Sequence, residues 1–225
     1  MKDGKLFVVE GACDGIGKST QFELLSKYLV DLGYEIGTHH FPTYEEYYGM
    51  LATRYLAGDF GKPSELSPYF INALYAVDRA CAWNKKLKSM YKDGKIILLD
   101  RYTTSSLIYQ SSLINDIEEK KKFLDYIVDF EYNKLGIKEP DGVIFLYAPF
   151  ELVMKMKNAR KSNGGIINDI HERDLEYMKQ VYDNAMFVAE YLSWDMIKCN
   201  DGDNIRSIDD IHNEIASLIR KKVKK

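Results

Sequence analysis

The stretch VVEGACDGIGKST, Val8–Thr20, constrains this chain more than any other, because a glycine-rich turn joins an apolar run to an amphipathic one. Leu6–Val9 is apolar without alternation, the pattern of a strand buried on both faces. From Ser19 to Leu32, the residues Phe22, Leu25, Tyr28, Leu29 and Leu32 recur at helical spacing, and Gly33 follows as a cap. Strand, glycine-rich loop and helix in that order form an anion cradle, with loop N–H groups turned inward and a helix N-terminus behind them. Gly11, Gly15 and Gly17 permit the curl, Lys18 has the reach for terminal phosphates, and the Ser19 hydroxyl suits magnesium. Ala12, Cys13, Asp14, Ile16 and Thr20 complete the expected ATP-binding segment. Against the strict GxxxxGK[ST] spacing, counting back from Gly17 reaches Ala12, with Gly11 one residue earlier. Either the loop is one residue longer or alanine is tolerated there. Cys13 reads as a tolerated small side chain rather than a thiol activated by the helix.

Further apolar runs lie at Ile96–Leu99, Val143–Tyr147 and, more weakly, Asp195–Cys199, with Glu35–Phe41 as a fifth candidate strand. Between them stand helical patterns: one from Ser67-Pro68 to about Lys92, others opening near Thr104 and Phe150, and a last one over Ile208–Lys222. Asp169 and Glu172 have capping-box spacing ahead of an amphipathic stretch reaching Leu192. This alternation implies a doubly wound α/β fold, the three-layer P-loop NTPase arrangement, with a five-stranded parallel sheet flanked by helices. The 225 residues fit a single domain over 1–225, and KSNGGIIND reads as a mobile loop within a lid at about 157–170.

Lys and Arg number 31 against 34 Asp and Glu, so a net charge of −3 gives no reason to expect nucleic acid as partner. Any phosphate site must be local. No run approaches the roughly 18 apolar residues of a membrane span, and no secretion signal is visible. Cys13, Cys81 and Cys199 are few and widely spaced, as expected of a reducing cytoplasm.

A second functional cluster is expected where IILLDRYTTSS places Asp100 and Arg101 at a strand's C-terminal end, the edge at which open α/β sheets bind ligands. Asp100 suits a magnesium shell or an attacking group. Arg101 suits a bridge between donor and acceptor phosphates, unless the two residues simply pair with each other. Asn72, Tyr75 and Arg79 share one helix face, where an aromatic beside a guanidinium suits stacking on a nucleobase. His39 and His40 have no ligand-spaced partner for zinc and are expected to flank the acceptor cleft.

With FVVEGACDGIGKSTQ, the pair Phe41-Pro42, ALYAVDRA, DRYTTSSLIYQ and DIHERDLEYMKQVYD in this order, the chain resembles the thymidylate kinases, from Lys5 to about Arg220. The resemblance implies transfer of the γ-phosphoryl of ATP to dTMP with Mg2+, giving dTDP and ADP for dTTP synthesis, by a homodimer. It implies that Asp14 meets the deoxyribose 3′-hydroxyl, that Lys18 and Ser19 serve ATP and magnesium, and that Arg101 holds the acceptor phosphate. Tyr75 would stack on thymine, Arg79 would bond its O4, Tyr109 would crowd the 2′ position and Gln110 would approach the base. Phe41 and Ser105 belong to the same matched segments. Because the phosphate loop reads Asp14-Gly15, the catalytic arginine is expected in the lid, at Arg160. The FPxR of many relatives reads Phe41-Pro42-Thr43-Tyr44 here, with Arg54 or Tyr47-Tyr48 as expected substitutes for the missing arginine. The alternatives are a deoxynucleoside kinase, whose acceptor carries no phosphate, and a nucleotide-binding switch or inactive homologue.

Overall fold

All five expected strands form. In the computed structural model, which describes residues 3–161 and 175–224 with the side chains of 158–161 outside the description, they are β1 (Lys5–Gly11), β2 (Ile36–His40), β3 (Ile96–Asp100), β4 (Gly142–Tyr147) and β5 (Asp195–Lys198). They build one parallel sheet in the order β2-β3-β1-β4-β5. Parallel neighbours need long crossovers, and the helices α1 (Lys18–Asp31), α2 (Met50–Ala57), α3 (Pro68–Ala82), α4 (Lys88–Lys92), α5 (Thr103–Tyr109), α6 (Ile117–Val128), α7 (Phe150–Lys161), α8 (Leu175–Tyr191) and α9 (Ile208–Val223) supply cover for both faces.

That cover explains why the strands lack alternation. Phe7, Val9, Leu98, Ile144 and Leu146 pack against Leu25 and Leu29 of α1 and Ile215 and Ile219 of α9. Leu6, Val8, Ile97 and Leu99 face Trp83 and Leu87 on the opposite side. Phe145 meets the apolar faces of α5, α6 and α8 there too. Burying both faces demands apolar residues at consecutive positions, with about 1.5–3 kcal/mol gained per large side chain removed from water.

The expected helix over Pro68–Lys92 is interrupted by a wider π turn at Trp83–Leu87, which keeps Trp83, Leu87 and Tyr91 in one apolar cluster against the sheet. The helix α6 was not anticipated. Its signal was present, since Asp116 caps the N–H of Glu119 and Phe123, Leu124 and Ile127 form a buried stripe, but the intervening lysines and glutamates obscured it. A second π turn, Asp129–Lys134, follows directly. Beyond β5 the chain makes a small antiparallel pair, β6 (Asn200–Asp201) with β7 (Asn204–Ile205), rather than a longer strand. The capping box expected at Asp169–Glu172 lies outside the described residues.

Strand β1 is flanked by β3 on one side and β4 on the other, so the chain reverses its winding direction there, and a crevice opens beyond the C-terminal ends of β1 and β3. The segment after β2 forms one wall of that crevice and is pressed against Gly49, where a Cβ would lie 2.0 Å from the Thr43 carbonyl oxygen. Only glycine fits. Gly49→Ala is therefore expected to destabilise the fold by about 1–3 kcal/mol, measured by denaturant unfolding, and an unchanged midpoint would contradict this packing.

Candidate active site

The phosphate loop spans the gap between β1 and α1. Gly15 and Gly17 adopt φ of +99° and +95°, and Gly17 caps α1 in the left-handed region with no side-chain cap. The extra residue is absorbed at the strand end: the Ala12 N–H donates to the Leu146 carbonyl at 2.9 Å and continues the pairing with β4. Gly11 is then the position over which the loop folds, since a Cβ there would sit 2.8 Å from Ile16 Cγ2. Gly11 therefore takes the close-approach role, with Ala12 still held by the sheet. Cys13 is buried in the core, and burial pushes its thiol up to about 12, so it stays protonated and unreactive at neutral pH.

Parallel register brings His40 opposite Asp100. Asp100 accepts from Lys18 Nζ at 2.7 Å on one oxygen and from His40 Nδ1 at 3.0 Å on the other. Burial alone would raise this carboxyl, but the His40 hydrogen bond and the Lys18 charge outweigh it and hold it well below the usual range. Asp100 and Arg101 do not pair with each other. Arg101 reaches instead to Asp14 through Nη2, with Nη1 3.9 Å from Glu10 Oε1, and its guanidinium lies 5.6 Å from the Tyr109 ring centroid. Its backbone has φ +65°, a left-handed conformation that costs a non-glycine residue about 1–2 kcal/mol. Such strain concentrates at functional sites.

Two residues of this cluster escaped the sequence reading. Glu10 is fully buried and accepts from the Gly11 N–H at 3.0 Å, Thr104 Oγ1 at 2.9 Å and Ser105 Oγ at 2.6 Å, tying the phosphate loop to the start of α5. Its signal was a lone charge closing an apolar strand. Lys157 of α7 packs over Gly15, its Cβ 3.5 Å from where a side chain at Gly15 would begin. Its position opens the segment expected as a lid, but nothing in the sequence spacing marked Lys157 itself.

A cavity of about 250 Å3 connects the loop to the strand ends, lined by Asp14, Lys18 and Ser19 of the loop and α1, Asp100 and Arg101 at the end of β3, Phe41 after β2, Tyr75 and Arg79 of α3, and Tyr109 and Gln110 at the end of α5. Ser105 lines it as well, although its hydroxyl proton is given to Glu10. Arg79 is 1% exposed and forms a bidentate pair with fully buried Glu131 at 2.6 and 2.7 Å. Removing one partner of such a pair costs about 3–5 kcal/mol.

The substitutes expected for the absent FPxR arginine are elsewhere. Arg54 is exposed and pairs with Asp59, because α2 carries it away from the cavity. Tyr47 and Tyr48 lie beneath the Lys85 ammonium instead. From that segment His40 and Tyr44, stacked with centroids 5.9 Å apart, reach the cavity wall. His39 turns to Thr43 Oγ1 and Phe41, and burial lowers its pKa to about 4. The first residues of the expected lid, 157–161, are the end of α7, whereas the Arg160 side chain and residues 162–170 lie outside the described residues.

Three comparisons place this geometry among known proteins. The sequence profile of the family described as thymidylate kinase matches residues 9–215. A probable thymidylate kinase of Thermococcus onnurineus is 32% identical over 219 residues, covering 95% of this chain and 97% of its own. A thymidylate kinase of Plasmodium falciparum is 29% identical over 220 residues, covering 98% and 91%. The solved thymidylate kinase of Candida albicans superposes with a TM-score of 0.70 at 21% identity, over 97% of this chain and 92% of that one, and shares its fold.

The depressed carboxyl of Asp100 makes a pH prediction. A carboxyl whose folded pKa lies below its unfolded value of about 3.9 stabilises the fold above that value and loses its contribution as pH falls. Asp100→Asn is expected to be less stable than the parent at pH 7, with the gap narrowing below about pH 4. A gap that is constant with pH in chemical denaturation would refute the assignment.

Proposed function

The chain belongs to the thymidylate kinase family, and from that premise we propose that its acceptor is dTMP, phosphorylated in the cavity between the phosphate loop and α3. It is an ATP-dependent nucleoside-monophosphate kinase of that family. The observation that carries the residue assignment is one cavity lined together by Lys18 and Asp14 of the loop, Arg101 of the strand end, and Tyr75 and Arg79 of α3.

In this reading the γ-phosphoryl of ATP passes directly to the 5′-phosphate of dTMP, giving dTDP and ADP. Two polyanions must approach in line, so catalysis is positioning plus compensating charge. Asp100 holds the Lys18 ammonium at the mouth of the loop, where it meets the donor's terminal phosphates. Arg101, strained and clasped by Asp14, exchanges that carboxylate for the acceptor phosphate. Asp14 is thereby released toward the sugar 3′-hydroxyl. Tyr109 beside Arg101 narrows the space at the 2′ position, and Tyr75 offers a ring face to the base. Arg160 is the proposed cation on the transferred phosphoryl.

Magnesium fits the residues present. Among the described residues no three His, Cys, Asp or Glu side chains converge as a metal cage, which suits an ion that arrives on the nucleotide and takes one or two protein ligands. The Ser19 hydroxyl and the Asp100 carboxylate, kept ionised and lining the cavity, would hold it. When bound, it would supply positive charge that offsets the charge of the donor phosphates.

Two copies of the chain are the proposed assembly. Phe70 and Val77 of α3, seven residues apart on one face, are 41% and 47% exposed, with Cys81 following on the same stripe. A cytoplasmic setting accords with the three free cysteines, and no helix among the described residues is long and apolar enough to cross a membrane.

ADP release tests the reaction, with ATP, magnesium and dTMP, dUMP, dGMP, AMP, UMP or thymidine in turn. Turnover led by dTMP and lowered by about a hundredfold or more in Arg101→Ala is expected. Turnover only with thymidine would mean a nucleoside kinase, and ATP binding without acceptor-dependent turnover an inactive homologue. Light scattering tests the assembly: Val77→Glu is expected to convert a two-chain mass to a one-chain mass, because burying an unpaired carboxylate opposes association.

A further inference from the structure

Resting on the dTMP kinase reading above, we propose that Glu131 is a positioning residue that turns Arg79 into a reader with one available donor, selecting a carbonyl over an amine at the 4-position of the acceptor pyrimidine. A count of hydrogens carries the inference. A guanidinium has five N–H donors. The Nε hydrogen goes to Glu131 Oε2 at 2.6 Å and one Nη2 hydrogen to Glu131 Oε1 at 2.7 Å. The second Nη2 hydrogen goes to Ser106 Oγ at 2.8 Å, with Asn72 Oδ1 beside it at 3.4 Å. One Nη1 hydrogen points to the Tyr102 carbonyl at 3.4 Å. A single Nη1 donor remains, on a side chain that forms part of the cavity wall.

Glu131 prevents the others from being offered. Its side chain has no exposed surface, and Thr103 Oγ1 donates to Oε2 at 2.9 Å, so the carboxylate cannot swing aside with the arginine. The π turn Asp129–Lys134 at the end of α6 places it there, and the Glu131 carbonyl accepts from the Ile137 N–H at 3.2 Å, fixing the backbone as well. Burial alone would lower the pKa of Arg79, but the Glu131 carboxylate outweighs it and keeps the guanidinium charged. One outward donor is satisfied by one acceptor. The 4-carbonyl of thymine or uracil provides it, whereas the 4-amine of cytosine sets N–H against N–H and leaves a buried donor unpaired.

The test is kcat and KM for dTMP, dUMP and dCMP in the parent, Glu131→Gln and Arg79→Lys, with unfolding midpoints and ATP binding measured alongside. The parent is expected to favour dTMP over dCMP by at least about a hundredfold in kcat/KM. In Glu131→Gln, the amide cannot accept at both positions, the guanidinium is released, and the dTMP/dCMP ratio is expected to fall by about tenfold or more. The dTMP/dUMP ratio stays unchanged, since both carry the 4-carbonyl. Arg79→Lys keeps the charge opposite Glu131 without the planar fork and is expected to lose the same discrimination. It also serves if Glu131→Gln fails to fold. Intact discrimination in either folded variant overturns the role of Glu131, because a merely structural contact moves stability and not the ratio of two acceptors. Absence of dTMP turnover in the parent overturns the kinase reading and this proposal together.

Discussion

Parallel pairing of β1 with β3, which sets Val9 opposite Asp100, is the constraint from which the site follows. Once these two strands are in register, Glu10 and Arg101 emerge side by side at their C-terminal ends, and the loop after Gly11 begins where the chain after Asp100 turns away. A slip of one residue would send every strand side chain to the opposite face, against neighbours shaped for a different side chain, and the close packing on both faces opposes it. Hydrophobic burial thus fixes the position of charges it never contacts.

The charges arrive in pairs, each buried to a different depth. Arg79 with Glu131 is fully enclosed, Lys18 with Asp100 is nearly so, and Arg101 with Asp14 stands at the cavity. Depth sets their use. An enclosed pair cannot exchange partners without leaving a charge in a low dielectric, so it serves to hold geometry. A pair at the cavity wall can trade a carboxylate for a phosphate at little net cost, because the incoming anion replaces the one that leaves. Glu10, accepting three hydrogen bonds, ties the phosphate loop to the start of α5 and so keeps the two halves of the site together.

The irregular elements lie close to this machinery. The left-handed Arg101 and the π turn that carries Glu131 each depart from regular backbone, and each presents a cavity-lining group or braces one. Tertiary packing over-determines them, which is how local strain persists.

From sequence alone, the strand-loop-helix of Val8–Thr20, the five strands, the α/β class and the cluster of Asp100, Arg101, Tyr75 and Arg79 were legible. They were legible because periodicity, glycine placement and a lysine at the end of a loop are local signals. Helix α6 was hidden by its charged surface, and the π turns leave no periodic trace. The partners of the charges were decided only in the folded chain: Arg101 takes Asp14 rather than Asp100, His40 takes Asp100, and Glu131, 52 residues from Arg79, locks it. Sequence spacing specifies which groups an element presents, but desolvation selects partners by distance in space, and that distance exists only once the sheet has formed.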